Sequence, residues 1–304
     1  MADTDPVKPP KPQGMPINLV VAVSFGLFVP PRILGAAKYG GLNVHPSMLP
    51  EYEDFFDVFR LYSADLASFY GPAPLHHTLI LDWPWAGITV QTMHSKYFDQ
   101  GTKLLQHPDP GIKHECRSVE ELSRFLARRG ADMLVDCLRN HLYLYGSVIA
   151  APEARQEPPW IQERHAPKIT TADRFINWEK WSGHEIMRKH QVIGPLWSLG
   201  QIDEESQTTR RIIWSTGFEA TLHEPDAKFL IGRPMVTGYL SPSPDVWVKA
   251  CGGQILRIDQ ITIEGGQQAE PLMAAIRANM NHLETRHDNV PLFRGSILSK
   301  LPKP

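Results

Sequence analysis

The apolar and polar positions of this chain fall into two regimes. Asn18–Phe25 (NLVVAVSF) is an almost unbroken β-branched run, the pattern of a parallel strand covered on both faces. Pro31–Lys38 reads as a short helix with proline at its start and Gly40-Gly41 closing it. Leu42–His45 reads as a second short strand and Ile88–Met93 (ITVQTM) as a third, half-buried one. Ser118-Val119-Glu120-Glu121 has the form of a capping box. It opens a helix whose apolar stripe is Val119, Leu122, Leu126, Met133, Leu134 and Leu138. Strand, helix, strand, strand, helix predicts an open α/β sheet in the first half.

The second half is patterned differently. Ala150–Pro167 (AAPEARQEPPWIQERHAP) is rich in proline, charge and glutamine and reads as an interdomain linker, with residues 151–167 as its extent. Short strand-like runs follow at Arg211–Thr216, Thr221–His223, Val246–Cys251 and Gly253–Ile263, which predicts a small β-barrel or sandwich. Glu270–Met280, with Leu272, Met273, Ile276 and Met280 at helical spacing, predicts one late helix. The expected division is a domain over 17–150, the linker, and a domain over 168–304. Glu51–Tyr70 fits neither regime: it is aromatic, acidic and poorly amphipathic.

Composition narrows the class. A chain of 304 residues favours two domains, and a formal charge of −2 excludes a wholesale polycation while leaving room for a local basic face. The three cysteines, Cys116, Cys137 and Cys251, are far apart and form no CxxC pair, so neither a zinc ribbon nor a redox dithiol is expected. No run is long enough to span a membrane, and no metal site is expected. Met1–Gly14 contains Asp3 and Asp5, unlike an Arg-rich presequence, and reads as a leader or as the middle of something longer.

The chemistry concentrates on Asn43, His45 and a more distant Asp99. An amide N–H can donate to a developing oxyanion, an imidazole can hold or move a proton near neutral pH, and a carboxylate can fix the tautomer of that imidazole. Residues two apart on an extended segment share a face, so one substrate atom could meet both Asn43 and His45. That is the equipment for passing an acyl-type group between amines. Asp99 before Gly101 also suits a simple turn. His76, His77 and His94 lack metal-ligand spacing and are taken as structural; Trp178 and Trp181 are taken as core anchors.

Val20-Val21-Ala22-Val23-Ser24-Phe25-Gly26, Leu42-Asn43-Val44-His45-Pro46-Ser47-Met48-Leu49-Pro50, Gly71-Pro72-Ala73-Pro74-Leu75 and Gly87-Ile88-Thr89-Val90-Gln91-Thr92-Met93 together resemble the methionyl-tRNA formyltransferase family. Phe98-Asp99-Gln100-Gly101 stands where that family has its carboxylate turn; Lys168-Ile169-Thr170 and Ile176-Asn177-Trp178 are similar to its entry into a C-terminal barrel. The resemblance implies a Rossmann-like formyltransferase domain followed by a small OB-like β-barrel that grips tRNA. It implies transfer of a formyl group from 10-formyltetrahydrofolate to the amine of methionyl-initiator tRNA, with no metal. Asn43 would stabilise the oxyanion, His45 would assist proton transfer, and Asp99 would orient His45. Phe25, Gly26, Leu27, Ser47, Met48, Leu49 and Gly71 would shape the folate site. Lys168, Arg174, Arg188, Lys189, Arg210 and Arg211 would meet the tRNA backbone. A monomer without a membrane partner is implied, in the mitochondrial matrix for a eukaryotic member and in the cytoplasm for a bacterial one.

Two departures from the family complicate this reading. The family's opening strand, glycine loop and further βα units have no counterpart before Asn18, so an incomplete or N-terminally shortened member is expected, with the strand at Leu19–Val23 short of a neighbour. Glu51–Tyr70 stands where the family has a very short connection; a translated intron is the first reading and a lid the second. Two alternatives stay open: an inactive homologue that only binds tRNA, and another formyltetrahydrofolate-dependent enzyme acting on an amino sugar.

Overall fold

The computed structural model describes Met15 and residues 17–49, 67–83, 85–110, 116–145, 162–201, 209–221 and 245–269, together with Ile231 and short strands at 235–237, 289–291 and 297–298. The chain divides into two compact units, Met1–Lys168 and Ile169–Pro304. The expected helix at Glu270–Met280, most of the expected linker and residues 51–66 lie outside the described residues.

In the first unit, strands β1 (Val20–Val23), β2 (Gly41–His45), β4 (Trp85–Thr92) and β5 (Lys103–Pro110) form a mixed sheet in the order β1-β2-β4-β5. β1 runs parallel to β2, and β2, β4 and β5 are antiparallel in turn. Helices α1 (Pro31–Ala36), α2 (Pro74–Ile80), α3 (Val119–Arg139) and α4 (Leu142–Tyr145) complete the unit. A second, two-stranded parallel pair joins β3 (Ala67–Tyr70) to β6 (Gln162–His165).

α3 forms as its sequence dictates. Ser118 accepts from the Glu121 N–H while the Glu121 carboxylate accepts from the Ser118 N–H, a closed capping box worth about 1 kcal/mol. Its buried stripe is Leu122, Leu126, Gly130, Met133 and Cys137. Gly130 lets the helix sit hard on the sheet: a Cβ there would meet Val44 Cγ1 at 3.0 Å and Ile88 Cδ1 at 3.1 Å. Val44, Ile88 and Val90 are 4% exposed or less, so the sheet face under the helix is dry.

Three expectations are corrected here. β1 is not covered on both faces: it is the edge of its sheet, and Val21 and Val23 are exposed, with only β2 paired to it among the described residues. Residues 162–165 are not linker but strand β6, and Ala166 behind them is fully buried. Residues 67–70, the end of the segment read as foreign, are β3, the partner of β6, with Phe69 2% exposed. Composition misled at both places because each strand is stabilised by a partner some ninety residues away.

The second unit contains α5 (Gly183–Ile193), opened by a capping box between Ser182 and Glu185. Strands β7 (Leu196–Gln201), β8 (Thr209–Thr221), β9 (Met235–Thr237), β10 (Asp245–Lys249), β11 (Ile255–Ile263), β12 (Asn289–Pro291) and β13 (Ile297–Leu298) form one antiparallel sheet in the order β12-β9-β10-β11-β8-β7-β13. β8 is one strand of thirteen residues where two short runs were expected. The core of this unit holds Trp178 and Trp214, both fully buried and edge to face at 5.4 Å, and also buries Ile186, Leu196, Ile212 and Leu256. Among the described residues β12 and β13 stand at the two ends of this sheet.

Candidate active site

β2 carries Asn43 and His45 on one face, two residues apart, as the strand repeat requires. Across the antiparallel β2–β4 ladder, Asn43 is the register partner of Gln91 and His45 of Thr89. β4 then runs into a turn that returns Asp99 to the same place. Asp99 has φ +56°, the left-handed region that aspartate tolerates better than most residues.

The Asp99 carboxylate is the hub of the site. Its Oδ1 accepts from Asn43 Nδ2 at 3.4 Å and from Gln91 Nε2 at 3.1 Å, and lies 3.4 Å from His45 Nδ1. Its Oδ2 accepts from the Gly71 N–H at 2.9 Å. Gly71 is at φ +114°, and a Cβ there would meet the Ala166 carbonyl oxygen at 2.7 Å, so only glycine presents that N–H to Asp99 without strain. The expected trio of amide, imidazole and carboxylate is therefore assembled on one patch, and the carboxylate touches both other members.

His45 is 4% exposed, and both ring nitrogens face acceptors: Nδ1 faces Asp99, and Nε2 lies 3.0 Å from the Phe69 carbonyl oxygen. Burial is the dominant influence and pushes the imidazole below its ordinary 6.5; the Asp99 charge and the Phe69 carbonyl pull the other way. A neutral ring has one N–H for two acceptors, whereas the protonated ring satisfies both. The site thus holds His45 neutral at rest and has acceptors ready on both sides for an added proton.

A cavity of about 210 Å³ opens onto this patch. Phe25, Gly26, Leu27 and Phe28 form one wall, Gly71–His76 another, and Asn43, His45, Gln91 and Asp99 the floor. Phe25, Leu27, Phe28 and Tyr97 are 42–57% exposed, so its rim is apolar. His94 also lines it; its Nδ1 accepts from the N–H groups of Lys96 and Tyr97, which fixes the proton on Nε2, and its ring stacks on Tyr97.

Of the seven residues expected around the folate, Phe25, Gly26, Leu27 and Gly71 line this cavity, whereas Ser47, Met48 and Leu49 do not. Ser47 Oγ donates to the Phe69 carbonyl, Thr89 Oγ1 donates to the Ser47 carbonyl at 2.8 Å, and Gln106 Nε2 donates to the Leu49 carbonyl at 2.8 Å. These bonds clamp the chain on both sides of residues 50–66. Gln91 and the Phe69 carbonyl were missed by sequence reasoning. For Gln91 a signal existed: the one amide in a strand of apolar and threonine residues, 1% exposed in the fold. For a backbone carbonyl no side-chain signal exists.

Of the six expected tRNA contacts, Lys168 closes the first unit and is exposed. The other five lie in the second unit. Arg174 donates to the Pro195 carbonyl at 3.4 Å, and Arg188 and Lys189 sit on α5. Lys189 is 3.6 Å from the Trp181 ring centroid, and burial lowers its pKa. Arg210 and Arg211 are adjacent on β8, so their side chains take opposite faces, and Arg211 lies over the Trp197 ring at 4.4 Å. Among the described residues no three His, Cys, Asp or Glu side chains converge as metal ligands, and no helix is long and apolar enough to cross a membrane.

Comparison with known proteins places these features. Residues 12–138 match the formyl transferase domain family. The mitochondrial methionyl-tRNA formyltransferase of Saccharomyces cerevisiae is 26% identical over 90% of this chain and 68% of its own length. A putative methionyl-tRNA formyltransferase of Schizosaccharomyces pombe is 30% identical over 60% of this chain and 53% of its own length. Among solved structures, HypX from Aquifex aeolicus in complex with tetrahydrofolic acid aligns with a TM-score of 0.42 at 13% identity, covering 86% of this chain and 38% of that one. The chain thus spans between about half and two thirds of the length of the fungal relatives it matches. Residues 12–138, which contain the assembled Asn43–His45–Asp99 patch, are thus similar to the formyl transferase domain family, and the chain is similar in sequence to proteins named methionyl-tRNA formyltransferase.

Proposed function

We propose that this chain transfers a formyl group from 10-formyltetrahydrofolate to the amino group of methionyl-initiator tRNA. The observation that carries the reading is the convergence of Asn43, His45 and Asp99 on the floor of one cavity. The uncovered side chains of Phe25, Leu27 and Phe28 on its wall fit a flat heteroaromatic ring. When bound, the folate supplies an activated formyl carbon. Asn43 Nδ2 donates to the formyl oxygen as negative charge develops there, a kind of contact worth about 3 kcal/mol of barrier. The incoming amine forms the new C–N bond as the bond to the folate nitrogen breaks, and one proton moves from the amine to the departing nitrogen. Asp99 stands on the cavity floor to take that proton on its way, with His45 neutral behind it and able to share the charge.

The same proposal assigns the second unit a tRNA-gripping role as an OB-like barrel, with Lys168, Arg174, Arg188, Lys189, Arg210 and Arg211 meeting phosphates, in a monomer of the mitochondrial matrix. The naming of the Saccharomyces cerevisiae relative as mitochondrial supports that location. The test is formyl transfer to charged initiator tRNA by the purified chain, beside Asn43→Ala and His45→Ala. Turnover by the wild type that both substitutions abolish is the expected result. Salt-sensitive tRNA binding without turnover would leave a binding module, and turnover only with an amino sugar would redirect the reading.

A further inference from the structure

Asp99 Oδ1 is oversubscribed. Asn43 Nδ2 and Gln91 Nε2 donate to it at 3.4 and 3.1 Å, which takes up the two lone pairs of a carboxylate oxygen, and His45 Nδ1 lies 3.4 Å from it as well. Gln91 holds the shortest of the three contacts. Its amide sense follows from chemistry: an oxygen turned to the carboxylate would set acceptor against acceptor, so Nε2 faces Asp99 and Oε1 faces away. That Oε1 is buried and has no hydrogen-bond partner among the described residues. A buried glutamine with its acceptor unpaired is costly, and the donation to Asp99 is what it provides in return. Gln91 is also directly across the ladder from Asn43, so the two amides reach the carboxylate from neighbouring strands.

We propose that Gln91 is a positioning residue that keeps Asp99 oriented and hydrogen-bonded when Asn43 turns its amide to the substrate oxygen. Both amides lie on the cavity floor, but Asn43 has the longer contact and is only half-buried, whereas Gln91 has the shorter contact and is 1% exposed. Releasing Asn43 therefore leaves the carboxylate still accepting from Gln91 Nε2 and the Gly71 N–H. This inference rests on the formyl-transfer reading for its kinetic part and on geometry alone for its electrostatic part. The charged and titratable groups around the site are Asp99, His45 on β2, His76 on α2, and His94 and Tyr97 after β4.

The experiment uses the full chain with Gln91→Met, which removes the donor at similar volume, and Gln91→Glu, which keeps the shape. The first readout is the NMR titration of the His45 imidazole, identified by its loss in His45→Asn, and it needs no turnover. With the Gln91 donor removed, the Asp99 charge pulls harder on His45, so the midpoint in Gln91→Met rises relative to wild type. The second readout is formyl transfer: kcat in Gln91→Met falls about tenfold while KM for the folate stays within about twofold. Gln91→Glu is slower still at neutral pH and recovers as the pH is lowered, because its protonated carboxyl donates to Asp99. A Gln91→Met protein whose His45 midpoint equals wild type overturns the proposal, whatever its kcat. A shifted midpoint with wild-type kcat overturns the positioning role. Wild-type protein without turnover refutes the formyl-transfer reading instead, and the His45 midpoint still judges Gln91.

Discussion

The two units bury different things. Among the described residues, the first unit buries His45, Ser47, Thr78, Thr89 and Gln91, whereas the only buried polar side chain of the second is Ser198, which accepts from Trp214 Nε1. The second unit instead packs two indoles against isoleucine and leucine. The contrast teaches where chemistry is placed. A sheet that carries reactive groups gives up apolar packing around them and holds them by a hydrogen-bonded network; a sheet without them fills its centre with aromatic volume.

Substitutions can break or sharpen that contrast. The largest expected effect on stability is in the aromatic core: Trp178→Ala should cost about 3–5 kcal/mol, read from urea unfolding, with no effect on how Asn43, His45 and Asp99 are connected. A loss under about 1 kcal/mol would mean that the second core is not held by its indoles. Asn43→Ala should do the reverse, lowering kcat by about 10²–10³-fold with little change in unfolding free energy. Equal losses of stability and rate would merge the two roles.

Proton linkage comes next. Burial lowers the pKa of His45 in the first unit and of His190 in the second. The unfolded imidazoles take protons near their ordinary 6.5 while the folded ones resist. Stability is therefore fully present above that value and falls as the pH drops below it. His45→Asn and His190→Asn should each flatten that acid slope in unfolding experiments run from pH 7.5 to about 5. A slope unchanged in both variants contradicts the depressed values. The smallest effect should be the same in both units: Ser118→Ala and Ser182→Ala each remove a closed capping box and should each cost about 1 kcal/mol of unfolding free energy.

The legible parts of this molecule were those whose causes are local. α3 followed from its capping box and its 3.6-residue stripe, and the Asn43–His45 pair from the two-residue repeat of a strand. α5 carried the same kind of signal in Ser182 and Glu185 and was passed over because Gly183 and a run of charged residues masked its stripe. β6 reads Gln-Glu-Arg-His, with no apolar alternation at all, and becomes a strand only because β3 lies beside it. β5 ends in Pro108, Asp109 and Pro110, residues that argue against a strand anywhere but at a sheet edge, which is where it lies. In the site, side chains were legible and backbone was not. The Phe69 carbonyl faces His45 and the Gly71 N–H donates to Asp99, and a backbone group of this kind leaves no mark in the side-chain chemistry.

The clamps on either side of residues 50–66 have an evolutionary consequence. Leu49 is fastened by Thr89 and Gln106, and Phe69 by His45 and Ser47. With both ends nailed down, the span between them can lengthen at a cost that grows only with the logarithm of its size, about 0.6 kcal/mol per doubling. Descendants of this sequence can therefore vary the length of that span without retuning the hydrogen bonds that fasten Leu49 and Phe69.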